Sequence, residues 1–134
     1  MNVFRTDLFK DKVAFISGGT SGINLEIAKQ YARLGAKVAV MSRSQEKVDK
    51  AIAEIQAEGG VAVGYAADVR DFDAVLNAVE ATVDSLGKLD IVISGAAGNF
   101  MCPAEALSPN GFKTVVDIDL NGTFNILRAS YDYA

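Results

Sequence analysis

The chain has 134 residues, half of them hydrophobic, a formal net charge of −4, one cysteine and no histidine. That length and apolar share fit a single domain, 1–134, with a sizeable core, while scattered basic residues exclude the electrostatic footprint of a nucleic-acid binder. A lone Cys102 without histidine excludes a disulfide framework and a metal cluster, and with no signal-peptide core in MNVFRTDLFKDK and no apolar run near ~20 residues, the expectation is a chain of the reducing cytoplasm without membrane partners.

In chain order, KVAFIS (12–17) predicts a strand, Ile23 to Leu34 a helix, and AKVAVMS (36–42) a second strand. Gln45 to Ala57 follows as a helix, VAVGYAA (61–67) as a strand, Asp71 to Leu86 as a helix and LDIVIS (89–94) as a strand. The strands are Val- and Ile-rich runs, as expected for strands buried on both faces of a parallel sheet. In the third helix Phe72, Val75, Leu76, Val79, Val83 and Leu86 recur at three- and four-residue steps and define one apolar face. Gly35, Gly59, Gly60 and Gly87 stand just past the helices, where a left-handed residue ends the turn. Strict alternation of strand and helix implies an α/β fold, a right-handed, doubly wound parallel sheet with helices on both faces and strand order 3-2-1-4.

The last element is read as one long helix, with Ser108 as N-cap and Pro109 at the first helical position. Phe112, Val115, Val116, Ile118, Leu120, Phe124, Ile126, Leu127 and Tyr131 lie around too much of its circumference for a helix with one wet side. One part packs on the sheet, and another is expected against a second subunit.

The stretch FISGGTSGINLE (15–26) gives up side chains where the first strand becomes the first helix. In an open parallel sheet, ligands sit at the carboxyl ends of the strands where the order reverses, here between strands one and four. Gly18 permits a tight turn and Gly22 lets backbone approach a pyrophosphate, which the helix amides and dipole attract. Close packing of helix on strand is the alternative use of such glycines, but the strand–turn–helix context favours a dinucleotide.

SGGTSGI, with Gly18, Thr20, Ser21, Gly22 and Ile23, resembles the threonine-glycine-x-x-x-glycine-x-glycine turn of the short-chain dehydrogenase/reductase family. The chain follows that family's Rossmann-type first half almost throughout. Asp68 and Val69 are similar to its adenine-binding pair, and SGAAGNF (94–100), with Ala96, Ala97 and Gly98, stands where the family carries an asparagine-asparagine-alanine-glycine turn. These motifs fall at the ends of strands one, three and four, facing one crevice. At the end of strand two, about 20 residues past the glycine turn, an acid would bind the ribose hydroxyls of NAD. Ser42 takes that place and Arg43 follows. A guanidinium can grip the extra phosphate of NADP with paired hydrogen bonds, so NADP(H) is the expected cofactor; an ordinary exposed loop arginine is the alternative.

The departures carry information too. Asn24 replaces the third glycine, so either the helix starts farther from the dinucleotide or the amide joins its contacts. Counting from Gly122, Asp119 stands where most of the family has an asparagine. With GAAGNF, CPAEALSPNGFKTV and DIDLNGTFN, this resembles the 2,4-dienoyl-CoA reductase branch, especially its peroxisomal type. That resemblance implies hydride transfer from NADPH to a conjugated dienoyl thioester, then protonation to a 3-enoyl-CoA. Asn99 and Phe100 would line the substrate pocket. Asp119 is the candidate catalytic residue, delivering a proton if burial raises its pKa or else positioning a water; an ion-paired interface residue is the other reading.

The family's tyrosine-x-x-x-lysine pair has no counterpart: Tyr31 is followed four places on by Gly35, Tyr65 by Val69, and Tyr131 and Tyr133 lie too near Ala134. The later strands of the sheet are missing as well, which would leave strand four with an open edge. The expectation is therefore the amino-terminal half of a reductase of about 250 residues, inactive alone and, by resemblance, part of a homotetramer joined through the last helix. A carbonyl or 3-oxoacyl reductase and a non-catalytic nucleotide-binding module remain as alternatives.

Overall fold

The computed structural model describes residues 3–134. Its elements are β1 (Val13–Ser17), α1 (Gly22–Arg33), β2 (Lys37–Ser42), α2 (Gln45–Ala57), β3 (Val61–Ala66), α3 (Phe72–Leu86) and β4 (Ile91–Ser94), then a 3-10 turn (Ala104–Ala106), α4 (Pro109–Val116), a π turn (Asp117–Asn121) and α5 (Gly122–Ser130). The strands form one parallel sheet in the order β3-β2-β1-β4. Ser17 lies opposite Met41 on one side and Ser94 on the other, so the carboxyl ends of β2, β1 and β4 finish level.

Side chains of a strand alternate between the two faces of the sheet, and both faces here are apolar. Val13 and Phe15 of β1 join Ala39 and Met41 of β2 in a core covered by α3 and α5, through Val75, Val79, Ile126 and Ala129. Ala14 and Ile16 join Val38 and Val40 on the opposite face, covered by Ala28 of α1 and by Ala51 and Ile55 of α2. All five β1 residues are buried, as a strand between two neighbours and two helix layers must be. Those of β4 are only half-buried, and among the described residues β4 pairs with β1 alone, so its outer edge is open.

Two boundaries differ from the sequence reading by more than a single residue. Strand four begins at Ile91 because Asp90 serves as a lead-in: its Oδ2 accepts the Val13 N–H at 2.9 Å, and its own N–H donates to the Val13 carbonyl at 3.0 Å. The expected single last helix is interrupted by the π turn, which inserts residues into the helical ladder. Thr123 Oγ1 donates to the Asp119 carbonyl at 2.6 Å and Asn121 Nδ2 to Asp117 Oδ1 at 3.0 Å within this widened turn. From there α5 is tied back to the sheet, Asn125 Nδ2 donating to the Val69 carbonyl at 2.8 Å. Apolar residues surround the helix as expected, but they divide by face: Ile126 and Ala129 are buried, whereas Phe112, Leu120, Phe124, Leu127 and Tyr131 are 53–78% exposed.

Candidate functional site

A crevice of about 420 Å³ opens where the carboxyl ends of the strands converge, within the size range of cofactor and small-molecule pockets. Gly18, Thr20, Ser21 and Asn24 line it from the first turn and α1; Ser42, Arg43, Ser44 and Lys47 from the end of β2 and the start of α2. Asp68 and Val69 line it after β3, and Gly95, Ala96, Ala97 and Gly98 after β4. Met41, Ala67 and Ile118 complete the wall.

The glycine turn is shaped by backbone. Gly18 sits at φ +68°, its N–H donates to the Met41 carbonyl at 2.8 Å, and a Cβ there would lie 2.9 Å from the backbone of Gly95 and Ala96. Gly22 sits at φ +57° as the first residue of α1, with nothing within 4 Å of where a Cβ would project. Ser21 precedes it as N-cap, yet no side chain accepts from the first amides of α1. A helix start with unspent donors and a positive dipole end is a ready site for phosphate. The crevice therefore fits a dinucleotide at the place where its linking phosphates would lie.

At the end of β2, Ser44 Oγ accepts the Lys47 N–H at 3.3 Å and caps α2. That fold of the chain brings Lys47 to the same wall as Arg43, and among the described residues neither makes a salt bridge. Asp68, just past the neighbouring strand β3, is neutralised by Arg70: Oδ2 accepts from Nη2 at 2.6 Å and Oδ1 from Nε at 3.0 Å and from the backbone N–H at 2.9 Å. The Arg70 guanidinium holds the Asp68 carboxyl below the usual carboxylate range against partial burial, with a smaller contribution from Arg43. This end of the crevice is left cationic, with no acid at Ser42.

The turn after β4 is pinned from three directions. Ser17 Oγ accepts the N–H groups of Gly95 at 3.1 Å and Ala96 at 3.4 Å. Asn24 Nδ2 donates to the Gly95 carbonyl at 2.8 Å. Asp119 Oδ1 accepts the Gly98 N–H at 2.8 Å, and Ile118 packs so closely that a Cβ on Gly98 would lie 2.8 Å from its Cδ1.

Several residues singled out from the sequence lie elsewhere. Ile23 is 81% exposed and turns its side chain into a separate apolar groove with Phe9, Ile27, Tyr31 and Ile93, so only its backbone amide can serve the crevice. Gly22 likewise stands outside the lining and offers backbone alone. Asn99 and Phe100 lie beyond the lining; Asn99 Oδ1 accepts the Phe100 N–H at 2.8 Å and the Phe100 ring is half-exposed. Asp119 is exposed and in no ion pair among the described residues of this chain, so the burial that proton delivery requires is not found. The side chain holds the 95–98 turn instead. Sequence reasoning missed Ser17, Ser44 and Lys47. The spacing of an N-cap serine and a lysine three places on, directly after a strand, is the signal that marks the last two.

Comparison with known proteins adds a decisive match: residues 12–133 fit the short chain dehydrogenase family. The chain belongs to that family. It is similar to the peroxisomal 2,4-dienoyl-CoA reductase of Arabidopsis thaliana, 45% identical over 97% of this chain and 44% of the relative. The peroxisomal 2,4-dienoyl-CoA reductase of Rattus norvegicus is 48% identical over 98% of this chain and 45% of its own length. Among solved structures, a citronellol catabolism dehydrogenase of Pseudomonas aeruginosa superposes with a TM-score of 0.90 at 32% identity, covering 97% of this chain and 53% of the other. A short chain dehydrogenase of Bacillus anthracis does so with a TM-score of 0.85 at 41% identity, covering 90% and 50%. The chain thus spans about half the length of these relatives.

These relatives also correct the cytoplasmic expectation, because the reductases matched at 45% and 48% identity are peroxisomal. Composition had no means of separating the two compartments. A peroxisomal address is a few residues read by a receptor, with no apolar leader or span to detect. No helix among the described residues is long and apolar enough to cross a membrane, and no cluster of His, Cys, Asp or Glu fit to hold a metal ion occurs among them.

Proposed function

We propose that this chain is the cofactor-binding part of an NADP(H)-dependent reductase of 2,4-dienoyl-CoA or a related acyl thioester, whose activity belongs to an enzyme of the relatives' full length. The observation that carries the reading is the uncapped start of α1 facing a crevice whose far wall presents Arg43 and Lys47 with no acid at Ser42. Bound NADPH supplies a hydride. The remaining work falls to the chain.

The α1 amides hold the linking phosphates, and Gly18 shapes the turn that leads into them. Arg43, with Lys47 beside it, grips the 2′-phosphate, for which a guanidinium offers paired donors. Asp68 and Val69 flank the adenine. The 95–98 turn, with Ala96, Ala97 and Gly98, supports the nicotinamide end. Asn99 and Phe100 lie on the chain's path out of that turn, where an acyl group would enter. Asp119, exposed beside Gly98, keeps the turn in shape and orders a water there. The general acid lies outside the described residues, since no tyrosine here has a lysine four places on. The exposed stripe Phe112, Leu120, Phe124, Leu127 and Tyr131 supports association through α4 and α5, and a homotetramer is the assembly proposed.

The test is cofactor consumption by the full-length enzyme, followed by absorbance, with a 2,4-dienoyl-CoA and with a 3-oxoacyl-CoA. The dienoyl thioester should be reduced with NADPH. Arg43→Ala should raise the KM for NADPH about 30-fold, the loss of one charge-assisted bidentate contact, and change that for NADH less than threefold. Reduction of the 3-oxo thioester alone overturns the substrate assignment, and equal losses with both cofactors overturn the NADP assignment.

A further inference from the structure

The side chain of Asn24 does something that the glycine expected in its place could not. It stands in the first turn of α1, and its amide donates to the Gly95 carbonyl at 2.8 Å, joining two segments 71 residues apart in sequence. The space above Gly95 is filled by the same group: a Cβ on Gly95 would lie 2.5–2.6 Å from Asn24 Nδ2, Cγ and Oδ1. Ser17 Oγ takes the Gly95 and Ala96 amides, and a Cβ on Gly18 would lie 2.9 Å from the backbone of both residues. The glycine turn and the 95–98 turn are therefore one welded mouth, and Asn24 is the member of the weld that comes from the helix.

We infer that Asn24 is a positioning residue for the dinucleotide, holding the turn that supports its nicotinamide end in fixed register with the helix end that holds its phosphates. The inference rests on the NADP(H) reading and goes beyond it. A ligand bridging both turns gains from their being fixed in advance, because it need not order them on binding. A ligand that does not reach the 95–98 turn gains nothing from the weld. Asn24 thus acts on the whole dinucleotide and is silent toward its adenosine fragment.

The experiment compares NADPH with adenosine 2′,5′-bisphosphate, which carries the 2′-phosphate but neither the nicotinamide nor the second ribose. Calorimetric titration of Asn24→Ala and of Asn24→Gly should show NADPH binding weakened about tenfold, the scale of one lost hydrogen bond. Adenosine 2′,5′-bisphosphate should stay within about twofold of the unaltered protein, a split that a general loss of folded structure would not produce. Unchanged NADPH affinity, equal losses for both ligands, or failure of both variants to fold each overturn the inference while leaving the cofactor reading in place. Failure of the unaltered protein to bind NADPH overturns both.

Discussion

Four helices of this chain start beside a strand or loop, and three of them close their own ends. Ser44 accepts the Lys47 amide on α2 at 3.3 Å, Asp71 the Ala74 amide on α3 at 3.1 Å, and Ser108 the Gly111 amide on α4 at 3.0 Å. The fourth, α1, begins with Ser21, whose hydroxyl caps nothing, and with two glycines at positive φ flanking the turn, Gly18 and Gly22. A helix whose first donors are left unmatched forgoes about 1 kcal/mol that a capping side chain would supply. Three ends are closed by their own side chains, then, and one is left open, as the proposed phosphate site requires. The same residue type, serine, stands at the start of α1, α2 and α4, so composition alone does not make the difference; the backbone route through the glycines does.

The largest way to break this contrast is Gly18→Val. A branched side chain resists φ +68°, and its Cβ would meet Gly95 and Ala96 backbone at 2.9 Å, so the two turns must part. NADPH affinity should fall at least about 100-fold, roughly 2.7 kcal/mol, read by quenching or transfer of cofactor fluorescence. A smaller effect sharpens it. Asp71→Ala should lower unfolding free energy by about 1 kcal/mol in urea melts and leave NADPH affinity unchanged. Ser21→Ala should leave the melt within a few tenths of a kcal/mol, because its hydroxyl caps nothing.

What the sequence made legible follows from which physics is local. Val- and Ile-rich runs alternating with helical periodicity report burial on both sheet faces, so element order, strand order and the site of the crevice were all readable. The boundary at Ile91 was not, because it depends on Asp90 reaching Val13, a contact 77 residues away. The π turn was hidden as well, because Asp117 to Asn121 carries no proline or glycine to mark an interruption. Asp119 was visible as a departure from the family pattern, yet its partner is a backbone amide in another turn, which no spacing rule encodes. Ile23 was placed in the crevice because its neighbours are, although one step along a helix rotates a side chain by about 100° and here carries it into another groove. Lys47 was not legible because it stands five residues beyond the strand, and only the first turn of α2 brings it alongside Arg43.

The most direct test of the central claim, that the open end of α1 holds the linking phosphates of a dinucleotide, is an amide NMR titration with NADPH. The account predicts the largest shifts at the backbone N–H groups of Thr20 to Asn24, saturating together with those of Ala96 to Gly98. Saturable binding that leaves the Thr20 to Asn24 amides in place, with shifts confined to other strand ends, would contradict it.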